Sequence, residues 1–114
     1  MNDHEVNIGI LGLGTVGTGV AKILLTQQEL LKTRSTLTFR LKSIAEIDWE
    51  TKRDLNLDGV QCLTDARRVI SDPEIDIVVE TIGGTEPAFS FICEALRNRK
   101  HVVTANKALI ATRG

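Results

Sequence analysis

The chain has 114 residues, 42% apolar and 25% charged, enough for one packed core and short for a complete enzyme. Its 14 basic and 15 acidic residues leave a net charge of −1, which offers no basic face to a nucleic acid. No apolar run approaches the ~18 residues of a membrane span, the polar opening Met1-Asn2-Asp3-His4-Glu5 is no signal peptide, and Cys62 and Cys93 lack C-x-x-C spacing, so a cytoplasmic protein with reduced thiols and no metal is expected.

Val6 to Leu11 is a near-continuous apolar run that suits a strand buried on both faces. Gly12 to Gly17 is glycine-rich. From Thr15 to about Arg34 the apolar residues Val16, Val20, Ile23, Leu24 and Leu31 recur at helical spacing. Gly19 within that helix is read as a packing glycine. Leu37 to Ile47 alternates Leu37, Phe39 and Leu41 with polar neighbours, then runs into Ile44-Ala45, as a second strand. Trp49 to Gly59 is polar and irregular. Val60 to Leu63 is a short strand, and Thr64 caps a short helix through Ser71. Asp72-Pro73 ends that helix. Ile75 to Ile82 is a strand broken by Gly83-Gly84. Pro87 suits the first turn of a helix whose stripe is Ala88, Phe91, Ile92, Ala95 and Leu96. Asn98 is expected to take the left-handed stop. His101 to Ala105 is a fifth strand, and Lys107 to Thr112 begins a helix that the chain does not finish. Cys62 and Cys93 read as core thiols, His101 as a solvated histidine, and Arg97, Arg99 and Lys100 as a basic helix end matched to the helix dipole.

Alternating strands and crossover helices specify a doubly wound parallel α/β sheet. Ligands on such sheets bind at the carboxyl ends of the strands, near the switch in strand order. Four features fall there: the glycine loop, Glu46 with Asp48, Thr81 to Gly84, and Asn106-Lys107.

Gly12-Leu13-Gly14-Thr15-Val16-Gly17 is G-x-G-x-x-G between a strand and a helix, the dinucleotide-binding fingerprint of a Rossmann-type domain. Gly12 allows the tight turn, Gly14 lets a pyrophosphate approach the backbone, and Gly17 lets helix and strand pack closely. The helix N-terminus presents N–H groups to the phosphates. An acid at the end of the second strand holds the adenosine ribose in such sites. Glu46 and Asp48 both qualify, and their spacing puts both on one face of an ideal strand. Either acid favours NAD over NADP by repelling a 2′-phosphate. Lys52 and Arg53 oppose that preference only if the loop folds back. Thr81, Gly83 and Gly84 allow a ring or ribose close to the backbone. Lys107 beside Asn106 can neutralise phosphate or donate to a substrate carboxylate or carbonyl.

Three segments resemble one family. Val6 to Gly17, Val79-Glu80-Thr81-Ile82-Gly83-Gly84-Thr85-Glu86-Pro87-Ala88, and Val102-Val103-Thr104-Ala105-Asn106-Lys107-Ala108-Leu109-Ile110-Ala111 are similar to the signatures of homoserine dehydrogenase. The resemblance covers the family's nucleotide-binding part. It implies interconversion of L-homoserine and L-aspartate 4-semialdehyde with NAD(P), on the route to threonine, methionine and isoleucine. It implies that Gly12, Leu13, Gly14, Thr15, Val16 and Gly17 hold the pyrophosphate. Thr81, Gly83 and Gly84 then line the ribose and nicotinamide, and Asn106 and Lys107 face cofactor and substrate. Lys107 is a contact there and not the main acid or base. The family's catalytic lysine and aspartate, and its dimer contacts, lie in a substrate domain that these 114 residues do not include, so an inactive fragment of a homo-oligomeric enzyme is expected. Many members carry an arginine after the second strand that suits NADP; Ile47 stands there, followed by Asp48.

Two other readings fit less of the chain. A sugar-type oxidoreductase of the glucose–fructose oxidoreductase family shares the phosphate loop and the Ala95-Leu96…Lys100-His101-Val102 pattern. It usually continues with Glu-Lys-Pro, where this chain has Ala105-Asn106-Lys107. A non-catalytic nucleotide-sensing module is the alternative outside enzymology.

Overall fold

The apolar run at the start of the chain builds the central strand, β1 (Glu5–Leu11), in a computed structural model that describes residues 5–27, 38–51, 55–82 and 88–104. β2 (Thr38–Ala45) pairs with one edge of β1 and β4 (Ile77–Glu80) with the other. β3 (Gln61–Leu63) lies outside β2, and β5 (His101–Thr104) outside β4. All pairings are parallel, and the order is β3-β2-β1-β4-β5. The chain winds outward from β1 through β2 and β3, then returns to the other side of β1 for β4. The strand order therefore reverses beside β1, where a crevice forms at the carboxyl ends. This is the doubly wound α/β sheet that the alternation of elements specifies.

Helices cover both faces. α1 (Thr15–Thr26) lies over Ile8, Ile10, Leu41, Ile44 and Val79, with Ala21 and Leu24 buried in the same cluster. α2 (Ala66–Ile70) and α3 (Ala88–Arg97) lie on the other face, where Leu11, Ala45, Val69, Ile70, Val78 and Ala95 are buried together. The alternating strand faces explain this division. Gly9 faces α2: a Cβ there would stand 2.4 Å from Val69 Cγ1, so the helix could not approach as it does. β2 holds one extra residue, Lys42, because Ile8 pairs with Leu41 and Gly9 with Ser43. That bulge shifts the pleat by one residue, so that Phe39, Leu41 and Ile44 all face the α1 side.

Several local expectations change. α1 buries a narrower face than its apolar spacing suggests, since Val16 is 51% and Ile23 53% exposed. A Cβ on Gly19 would meet nothing within 4 Å, so packing within the described residues does not call for that glycine. The expected extension of α1 toward Arg34 lies outside the described residues beyond Gln27. Asp65, not Thr64, caps α2, accepting the Arg67 N–H at 3.0 Å. β4 begins at Ile77, because Ile75 N–H turns back to Asp72 O at 3.1 Å. Arg99, not Asn98, takes the left-handed backbone (φ 63°), while Asn98 Nδ2 donates to Glu94 O. Leu96 is exposed, and so is Cys62, unlike the core thiol expected there. Lys100 is buried rather than part of a solvated basic end. The segment after β2 has no helix or strand among its described residues, yet Trp49, Leu55 and Leu57 pack against the α1-side core.

Candidate functional site at the carboxyl ends of the strands

β1 ends in the glycine loop. Gly12 adopts φ +92°, the left-handed region open to glycine, and its N–H donates to Ala45 O at 2.8 Å. Gly14 stands at the N-cap of α1, with open space where a side chain would be. No side chain caps that helix, and its first turn holds no acid. Backbone dipoles at the start of α1 therefore face the crevice without an acid of the helix's own first turn to offset them. Gly14, Thr15 and Val16 are exposed. Gly17 is buried: a Cβ there would lie 2.3 Å from Gly12 O and 2.8 Å from Thr81 Oγ1. Only glycine lets α1 come this close to the loop.

Glu46, one residue past β2, turns its carboxylate to that loop. Oε1 accepts the Leu13 N–H at 2.5 Å and Oε2 accepts the Asp48 N–H at 2.9 Å. Asp48 points elsewhere. It is exposed and caps a surface turn, accepting from the Thr51 hydroxyl at 2.6 Å and from the N–H groups of Glu50 and Thr51. The two acids that sequence spacing could not separate are thus separated by a change of chain direction after Ile47. Lys52 and Arg53 lie outside the described residues.

Thr81 follows β4. Its N–H donates to Leu11 O at 2.9 Å, and its hydroxyl proton is within reach of Leu11 O at 3.0 Å and Gly12 O at 2.9 Å. The side chain therefore braces the glycine loop as well as lining the crevice. Gly83, Gly84, Asn106 and Lys107 lie outside the described residues.

These groups border an open cleft of about 500 Å³, within the usual range for a small-molecule site. The glycine loop, Glu46, Thr64, Asp65 and Thr81 supply its polar lining. Ile47, Ala66, Ile82 and Phe91 form an apolar side, of which Ala66 and Phe91 had no site role in the sequence. Phe91 read as core because it lies on the helical stripe of α3. Its place is held by Arg67, whose guanidinium lies 5.5 Å from the ring centroid while Nε donates to Glu94 at 3.1 Å. The arrangement suits an elongated ligand with an anionic centre over the start of α1, hydroxyls near Glu46 and a flat apolar end in the slot. Among the described residues no group of three or more His, Cys, Asp or Glu is placed to hold a metal ion, and no helix is long and apolar enough to cross a membrane.

Residues 12–114 match the family model for the NAD binding domain of homoserine dehydrogenase. The chain belongs to the homoserine dehydrogenase family. Homoserine dehydrogenase of Bacillus subtilis is 42% identical over 109 residues, covering 96% of this chain and 25% of that protein. The Synechocystis enzyme is 44% identical over 112 residues, again 96% of this chain and 25% of that protein. Among solved structures, homoserine dehydrogenase from S. aureus at pH 7.5 superposes with a TM-score of 0.84 at 39% identity, covering 92% of this chain and 27% of that one. The Thiobacillus denitrificans homoserine dehydrogenase gives 0.82 at 39% identity, over 95% of this chain and 25% of that one. The chain thus spans about a quarter of the length of the relatives it matches. Levoglucosan dehydrogenase, solved with NADH and L-sorbose, gives 0.69 at 19% identity, a likeness of fold alone. The domain is therefore a homoserine dehydrogenase NAD-binding domain rather than a sugar-oxidoreductase one, and a nicotinamide cofactor belongs to it.

Proposed function

We propose that this chain is the cofactor-binding domain of an enzyme that interconverts L-homoserine and L-aspartate 4-semialdehyde, with NAD preferred over NADP. When bound, the nicotinamide supplies the hydride acceptor or donor. The chain's own part is orientation and electrostatics. Gly12, Leu13, Gly14, Thr15, Val16 and Gly17 carry the pyrophosphate on backbone N–H groups at the start of α1. Thr81 and, after it, Gly83 and Gly84 take the nicotinamide ribose and ring, while Asn106 and Lys107 face cofactor and substrate. Proton transfer at the substrate hydroxyl falls to a substrate domain outside these 114 residues, which also carries the contacts of a homo-oligomer. This reading places the enzyme in the cytoplasm, on the amino-acid route to threonine, methionine and isoleucine.

The cofactor preference rests on Glu46. Its carboxylate borders the cleft beside the glycine loop, where the adenosine ribose of a dinucleotide lies. A 2′-phosphate there would meet a fixed negative charge, and like charges at such range repel. Asp48 contributes little, being engaged in its own surface turn.

The test is reduced-nicotinamide absorbance with L-homoserine, on the protein at its full natural length, with NAD and NADP in separate assays. NAD is expected to give kcat/KM ~10-fold or more above NADP, a difference of about 1.4 kcal/mol in transition-state binding. Glu46→Gln should narrow that ratio. Equal use of both cofactors by the unaltered protein removes the Glu46 assignment. Cofactor binding without homoserine oxidation removes the substrate.

A further inference from the structure

Glu80 is the last residue of β4 and is completely buried. Its Oε1 accepts the Thr104 hydroxyl at 2.5 Å, across the last rung that pairs β4 with β5. Among the described residues its Oε2 has no hydrogen-bond partner. Asn7 Oδ1 and Ser43 Oγ share that lack, but both are on neutral side chains. A buried carboxyl group with an idle oxygen is a poor choice for stability, since an apolar side chain of similar size would fill the space without desolvation cost. Packing alone gives no reason for an acid here.

Position does. Glu80 and Thr81 are consecutive, so they leave opposite faces of the strand. Thr81 braces the glycine loop on the α1 side. Glu80 holds β5 on the other. The end of β4 therefore grips both of its neighbours at the level where the strands stop. Thr81, assigned above to the nicotinamide ribose, stands at this pair of strand ends.

We propose that Glu80 is a positioning residue for the nicotinamide end of the cofactor: through Thr104 it fixes the spacing of the β4 and β5 ends, and with it the place of Thr81 at the end of β4. The proposal rests on reading the chain as a dinucleotide domain. It requires no ligand contact by Glu80 itself.

The experiment compares NAD with ADP-ribose, which has the adenosine and pyrophosphate but no nicotinamide, as ligands of the full-length protein. Glu80→Met should leave ADP-ribose affinity within ~2-fold and weaken NAD by ~5-fold, the loss of about one hydrogen bond's worth of ordering. In turnover it should lower kcat by up to ~100-fold, as small misplacements of a reacting group do, with less change in KM. Should Glu80→Met not fold, Thr104→Val keeps the side-chain shape and carries the same test. Thr104→Ser, which retains the hydroxyl, should restore both readouts. A parallel fall in NAD and ADP-ribose affinity, or a lower Tm with the affinity ratio unchanged, overturns the positioning role and leaves a structural one. Unaltered protein that binds neither ligand overturns the dinucleotide reading, and the Glu80 role with it.

Discussion

At the N-terminal rim of the sheet, side chains close on one another. Lys100 is 6% exposed and donates Nζ to the carbonyls of Asp72 and Ile75. Lys42 pairs with Asp72. The Asn7 N–H goes to Asp76 Oδ2 at 2.8 Å, and the Asn7 amide donates to Glu74 O at 2.9 Å. At the C-terminal rim the materials differ. Glycines and backbone N–H groups edge the cleft, Asp65 lines it, and the Glu46 carboxylate reaches the loop. One sheet thus has a rim whose side chains pair with one another, the Asn7 Oδ1 excepted, and a rim that keeps dipoles and space for something else. Stability and binding are placed at opposite ends of the same strands, as the parallel arrangement allows.

If that division holds, two glycines in one segment should behave in opposite ways. Gly9→Ala should have the largest effect on the fold. Its Cβ would press on Val69, a stiff and fully buried side chain, and lie 3.1 Å from Ile75 Cδ1. We expect a loss of about 2 kcal/mol from overpacking, seen as a lower urea midpoint, with NAD affinity of the folded protein unchanged. Gly14→Ala should do the reverse. Its backbone is extended and its Cβ meets nothing, so stability should stay within about 0.5 kcal/mol. NAD affinity should fall by ~10-fold, because the methyl group stands where the pyrophosphate approaches the backbone. A stable Gly14→Ala protein with undiminished NAD affinity would falsify the placement of the pyrophosphate.

The smallest expected effect concerns the closed rim alone. The hydrogen bond from Lys42 holds the Asp72 carboxyl below its ordinary value, against some desolvation that raises it. A carboxyl with a depressed folded pKa lends stability above its unfolded value of about 3.9, and that share is lost as pH falls through the folded value. Urea midpoints measured from pH 5 down to pH 2 should therefore decline, with the Asp72 share under about 1 kcal/mol. Lys42→Met should flatten part of that decline and leave NAD affinity at neutral pH alone. A Lys42→Met profile parallel to that of the unaltered protein would show that the pair adds nothing. The Lys100 pKa is lowered too, since desolvation draws its ammonium below the usual lysine value while Asp72 and Asp76 oppose the shift; any share it has in stability also rises with pH, but only in the alkaline range.

Much of the fold and part of the cleft were legible in the residues. Val6 to Leu11 read as a strand covered on both faces and Ile75 to Ile82 as a strand, and they supply the paired β1 and β4. The glycine spacing located the loop, because a tight turn, an open approach and a close helix each require the missing Cβ. Expectations changed where two neighbours in sequence compete for one place. Thr64 and Asp65 can both cap a helix, and the path of the chain gave the role to Asp65. Asn98 and Arg99 both follow α3, and Asn98 uses its amide on Glu94 O while Arg99 makes the turn. The bulge at Lys42 slips the alternation of β2, which is why Leu41 and Ile44, three apart, share a face.

Order, parallel pairing and the phosphate loop were readable from the chain by itself, since apolar period, glycine spacing and crossover length are properties of near neighbours. Three matters were decided only by tertiary structure: which acid reaches the loop, why Gly9 is a glycine, and that Glu80 is sealed between two strand ends. Each depends on a contact between segments distant in sequence, Glu46 with Leu13, Gly9 with Val69, and Glu80 with Thr104. Packing sets those distances, and no local preference of the backbone encodes them.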